Sequence, residues 1–162
     1  MAGFIGPVYR LVNNGVSIST AISALQLKTG TNGAVEILRH GCSQSTSTTS
    51  TQVKAGLIRK TAAATVTTGV AGTTLLKNNL IAPTSDASLG TTATGITASA
   101  EGTNGELTDV RGFNILNGLE VLYTPEERKM VAIGTFAAET FLSAPPSATW
   151  DAFIEFRELR AS

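Results

Sequence analysis

Side chains able to do chemistry are few in this sequence. His40 is the only histidine and Cys42 the only cysteine. Two residues apart on a strand they would share a face, which makes a Cys-His dyad or half of a metal site geometrically thinkable. A metal would still need two more ligands, and a dyad a third residue to orient the imidazole; no His or Cys remains to supply them. A partly buried strand histidine and a small buried thiol are the plainer reading. No Gly-x-Ser-x-Gly elbow, Walker A loop, dinucleotide fingerprint or calcium loop occurs. The sequence therefore nominates no catalytic residue and no metal ligand, and it calls for no cofactor.

The charged residues point the same way. Glu126 and Glu127 follow Thr124-Pro125, an arrangement that suits a helix cap and the positive end of a helix dipole. A glycosidase pair would need a second carboxylate placed opposite, and no sequence signal places one. Lys54, Arg59 and Lys60 form the one basic cluster. On an alternating strand they divide between two faces, so a solvated edge that discourages aggregation outweighs a phosphate site.

The chain has 162 residues, formal net charge zero and only 15% charged residues. That length suits one domain with a real core. Without a net field, neither nucleic acid nor an anionic membrane is an expected partner. One cysteine excludes an intrachain disulfide and fits a reducing compartment. No leader-like segment stands at the N-terminus, and no apolar run approaches the ~20 residues of a membrane span. Thr, Ser, Ala and Gly dominate, which favours strands and loops over helices.

The elements that must carry these residues are clearest at the end of the chain. From Ser147 to Leu159, Trp150, Ala152, Ile154 and Phe156 alternate with Thr149, Asp151, Glu155 and Arg157, the period of a half-buried strand. Trp150 is the only tryptophan, and it shares its face with Ile154 and Phe156, so the densest apolar contact is expected there. Phe153 breaks the alternation and is expected against a neighbouring loop or subunit.

Upstream, residues 1–18 read as an extended arm or edge strand, because Gly3, Gly6 and Pro7 interrupt an apolar run. Phe4, Ile5, Val8 and Tyr9 need something to lie on, either the domain's own surface or a partner. The pair Asn-Gly occurs at 14–15, 32–33, 104–105 and 117–118, and each copy suits the positive φ of a two-residue hairpin turn. Strands are expected over Ala21–Lys28 and Ala34–Cys42, joined by a hairpin at Thr31–Gly33, then over Thr51–Lys60. Residues 61–99 hold one or two weak strands, one of them Gly95–Ala100, or a long packed loop. Strands over Leu107–Asn114, Leu119–Tyr123, Met130–Phe136 and Glu139–Ser143 complete about eight, with at most one short helical turn at Thr124–Glu127. The expected fold is all-β: an antiparallel jelly-roll or β-sandwich over residues 19–162, preceded by the arm.

The succession Gln52-Val53-Lys54-Ala55-Gly56-Leu57-Ile58-Arg59-Lys60-Thr61, a Thr/Ala/Gly stretch, Tyr123-Thr124-Pro125-Glu126-Glu127 and a closing Trp150-Asp151-Ala152-Phe153-Ile154-Glu155-Phe156-Arg157-Glu158 resembles small structural proteins of tailed bacteriophages. It is most similar to the capsid decoration, or cement, proteins, over roughly residues 20–160. The resemblance implies a jelly-roll-like homotrimer on the capsid exterior, made in the host cytoplasm, that clamps neighbouring major capsid protein subunits. It brings no catalytic residues. The arm is a separate extrapolation, in which Phe4, Ile5, Val8, Tyr9 and Arg10 touch the capsid. The alternative is a receptor- or carbohydrate-binding β domain of a phage tail or fibre, which would be expected to carry aromatic platforms in its loops.

Overall fold

The computed structural model describes residues 7–31, 33–67, 76–77 and 95–160. The strands within them are β1 (Val8–Ile18), β2 (Ser23–Lys28), β3 (Gly33–Gln44), β4 (Gln52–Lys60), β5 (Thr65–Thr67), β6 (Leu76–Lys77), β7 (Gly95–Ala100), β8 (Asn104–Asn114), β9 (Leu119–Leu122), β10 (Lys129–Val131), β11 (Phe136–Phe141) and β12 (Ala148–Arg160). Every pairing between them is antiparallel. The front sheet runs β10-β3-β12-β1-β6, with β9 also paired to β3, and the back sheet runs β5-β7-β2-β11-β4-β8. The all-β sandwich expected from the sequence is therefore the observed fold.

β12 is the centre of the front sheet, bonded to β3 on one side and β1 on the other. Its inward positions are the ones that the alternation picks out: Trp150, Ile154 and Phe156 are fully buried and Ala152 is nearly so. From the back sheet they meet Leu25, Leu27, Leu57 and Phe141 in one continuous core. Trp150 packs edge-on against Phe141 at 4.6 Å and Phe113 at 6.5 Å between ring centroids. Burying each such side chain contributes about 1.5–3 kcal/mol, which makes this inter-sheet seam the main apolar attachment of the two layers.

Three expectations need correction. The first is the arm. β1 starts at Val8 and pairs with β12 from Val8–Arg157 to Ile18–Ala148, with one register shift on the way, so residues 8–18 belong to the sandwich and the boundary at 18 disappears. Tyr9 and Leu11 are fully buried, and Tyr9 stacks on Phe156 at 5.8 Å. Pro7 stands just before the strand, where it removes no ladder hydrogen bond.

The second is the role of Asn-Gly. Asn14-Gly15 lies inside β1 at a register shift between Asn13 and Val16, with Gly15 at φ 74°. Asn104-Gly105 lies inside β8, and Asn117-Gly118, with Gly118 at φ 69°, leads from the back sheet to the front. Asn32 is outside the described residues. The hairpin at Thr31–Gly33 is likewise replaced, because β2 pairs with β11 and β7 whereas β3 pairs with β12, β9 and β10. The positive φ that suits a hairpin turn serves a bulge or a sandwich corner equally well.

The third concerns local detail. Thr124–Glu127 is a single turn closed by Glu127 N–H to Thr124 O at 3.0 Å, within the one short turn expected there, and no helix follows it among the described residues. The strand expected over Met130–Phe136 is divided between β10 and β11 by a turn in which Gly134 has φ 74°. Lys60 is not solvated: its side chain is completely buried.

Candidate interface on the outer face of the front sheet

His40 and Cys42 do share a face of β3, but it is the face turned into the sandwich. Opposite His40 stands Glu139 of β11, in the other sheet, with His40 Nδ1 2.5 Å from Glu139 Oε2. His40 Nε2 lies 3.1 Å from the Tyr123 hydroxyl. With a carboxylate at Nδ1, that nitrogen carries a proton, and Nε2 shares a hydrogen bond with the phenol. Burial first, and then the charges of Asp109 and Glu139, hold the Tyr123 hydroxyl well above its usual range, so it stays a proton donor. Burial likewise pushes the Cys42 thiol up, with Glu139 adding to it, which leaves the thiol protonated and inert. His40 is fully buried and Glu139 is 1% exposed, so substrate has no access to the pair. The cluster is a polar bolt between the sheets. Among the described residues no group of three His, Cys, Asp or Glu is placed to hold a metal ion.

A second polar cluster lies on the back sheet. Lys60 Nζ reaches Glu101 Oε2 and, at 2.9 Å, Asn104 Oδ1. Glu101 also accepts from Ser23 N–H at 2.5 Å and from the Ser23 hydroxyl at 2.8 Å. Burial alone would raise the Glu101 carboxyl and is the largest single influence. The bonds from Lys60 and Ser23 together outweigh it, and the carboxyl sits below its usual range. Of the other two basic residues, Arg59 pairs with Glu106 and donates to Met130 O, while Lys54 is exposed. The three cations thus form no common patch.

The outer face of the front sheet is different. Gly41 and Phe153 stand opposite one another in the β3–β12 ladder. A Cβ on Gly41 would lie 2.2 Å from Leu119 O and 3.1 Å from the Phe153 ring, so only glycine lets β9 and the aromatic ring close over this point. The Arg10 guanidinium stacks on Phe153 at 4.1 Å from the ring centroid, and Arg39 stands at 5.7 Å. Arg39 holds two carboxylates, Glu155 at 2.9 Å and Glu120 at 3.1 Å. The Glu155 bond is the main reason that the Arg39 charge is held more firmly than usual, burial opposing it. One row further, Glu36 is shared by Arg157 at 3.2 Å and Arg128 at 3.4 Å. Leu122 and Met130, 72% and 42% exposed, stand at the β9 and β10 edge of this sheet. There a shallow cleft of about 390 Å³ is lined by Arg111, Gly112, Leu119, Glu120, Val121 and Leu122.

The residues expected to touch a partner separate accordingly. Val8 and Arg10 are partly exposed, and in register with Arg157 and Glu155 they belong to this outer face. Tyr9 points the other way, into the core, and cannot be a contact residue: a period of two that exposes its neighbours must bury it. Phe4 and Ile5 lie outside the described residues. Sequence reasoning placed Phe153 against a neighbouring loop or subunit, and it nominated neither Arg39 nor Leu122. The broken alternation at Phe153 was the available signal, and it turns out to mark packing on the chain's own Gly41 and Arg10.

No family model, no curated protein and no solved structure matches this chain.

Proposed function

We propose that the chain is a structural β-sandwich of the capsid decoration, or cement, kind, which binds the exterior of a phage head and reinforces contacts between major capsid protein subunits. One observation carries the reading. The only histidine is sealed between the sheets as a structural bolt, while the outer face of the front sheet presents an aromatic ring stacked with arginine and flanked by ion pairs and exposed apolar side chains. Aromatic and arginine side chains are what protein interfaces concentrate, and charges paired within one surface are already ordered for docking.

The jelly-roll-like homotrimer and the position on the virion surface come from the sequence resemblance, and the sandwich is compatible with both. A cement protein need only bury surface, about 1,000 Å² or more per stable contact. Repetition over a symmetric shell then converts modest contacts into strong attachment.

The test is binding. The purified protein is mixed with expanded DNA-free heads, with unexpanded heads and with host cells, and bound copies are counted by sedimentation and gel densitometry. Saturable binding to expanded heads is the expected result. Binding only to cells would favour the tail or fibre reading, and binding to neither would overturn the proposal.

A further inference from the structure

We infer that Arg10 is the anchor of the partner contact and that it takes an aspartate or glutamate of the partner protein, seated on its guanidinium beside the Phe153 ring. The inference rests on the capsid-binding reading and adds the surface and the chemistry of what it grips.

The charges of the outer face are unevenly satisfied. Arg10 stands directly across from Glu155 in the β1–β12 ladder. Glu155 nevertheless turns to Arg39, which also takes Glu120. Arg128 and Arg157 share Glu36. Arg10 has the Phe153 ring beneath it, and no carboxylate of the described residues lies within ion-pair distance of it. Stacking on the ring holds the guanidinium plane in place before any partner arrives, so less side-chain entropy is lost when a carboxylate docks. A planar, pre-oriented cation with free donors matches a carboxylate in two-point fashion.

The neighbours set the rest of the footprint. Val8 and Val12 share the face with Arg10 at alternate positions of β1, and both are partly exposed. Val12 stands opposite Phe153 in the ladder. Among the described residues of this face, Arg10 therefore offers a positive charge without a carboxylate, within a small apolar surround, and it fits a protein segment bearing one acidic residue with an apolar neighbour. Nucleic acid fits it less well, since the other arginines of the face already hold carboxylates.

The experiment uses expanded DNA-free heads as the probe and compares wild type with Arg10→Glu, Arg10→Lys, Phe153→Ala and, on the back sheet, the exposed Lys54→Ala. Circular dichroism and thermal melting confirm that each variant folds. Arg10→Glu should weaken head binding by at least about tenfold, equivalent to 1.4 kcal/mol. Arg10→Lys should lose less, Phe153→Ala should weaken binding in the same direction as Arg10→Glu, and Lys54→Ala should change nothing. Wild-type affinity should fall as salt is raised, and the salt dependence should shrink in Arg10→Glu. If wild type binds heads and folded Arg10→Glu binds equally well, the anchor is overturned and the capsid reading stands. An equal loss in Lys54→Ala would overturn the assignment to this face, and failure of the wild type to bind would overturn both readings.

Discussion

His40 Nδ1 lies 2.5 Å from the Glu139 carboxylate, and the two residues come from opposite sheets, 99 positions apart in the chain. Both are buried, and the second carboxylate oxygen, Oε1, has no partner of its own. Such a pair is stabilising only while intact, because either member alone leaves an uncompensated polar or charged group in the core.

Replacing Glu139 with Ala, or His40 with Ala, should therefore cost about 3–5 kcal/mol, and the double variant should lose less than the sum of the two. Urea unfolding of the four proteins measures this directly. Strict additivity would show that the two side chains do not act as a pair.

Trp150→Ala removes the largest side chain of the inter-sheet seam and should destabilise the fold by about 3–5 kcal/mol. In the unmodified protein, Trp150 is fully buried, so its fluorescence should be blue-shifted and move red in one cooperative step with denaturant. A red-shifted native emission would contradict the burial.

Acid should weaken the Lys60–Glu101 cluster. The Glu101 carboxyl lies below its ordinary value of 4.5 in the folded state. Its contribution is thus fully present above that unfolded-state value and is lost as pH falls from there through the lower folded one. Wild type should be more stable than Glu101→Gln at pH 7, with the gap closing below about pH 4. Glu101 is one-third exposed, so solvent screening keeps the effect modest. A gap independent of pH in urea melts would show that the carboxylate charge is not what holds Lys60.

Deleting residues 1–6 leaves every residue of β1 in place. Deleting residues 1–12 removes Tyr9 and Leu11 from the core, each worth about 1.5–3 kcal/mol, and strips half of one β12 ladder. The longer deletion should unfold or aggregate the protein. A folded, equally stable product would mean that β1 is an accessory strand.

Alternation alone identified the terminal strand and its inward set, Trp150, Ala152, Ile154 and Phe156, because the period of a strand is a local property of the backbone. The same local rule, with the small-residue composition, was enough for an all-β antiparallel domain with little helix. It could say that His40 and Cys42 share a face, and that Phe153 breaks the pattern. It could not say whose neighbour each face would meet. Strand pairing is a long-range choice made by the packing of whole sheets, so tertiary structure alone decided that β2 and β3 part into different layers and that Asn14-Gly15 makes a bulge instead of a turn. It also decided that Lys60 is buried against Glu101 and that Arg10 finds Phe153 where Glu155 turned away. Those are contacts between residues far apart in sequence. A period of two orients a side chain but carries no information about its partner.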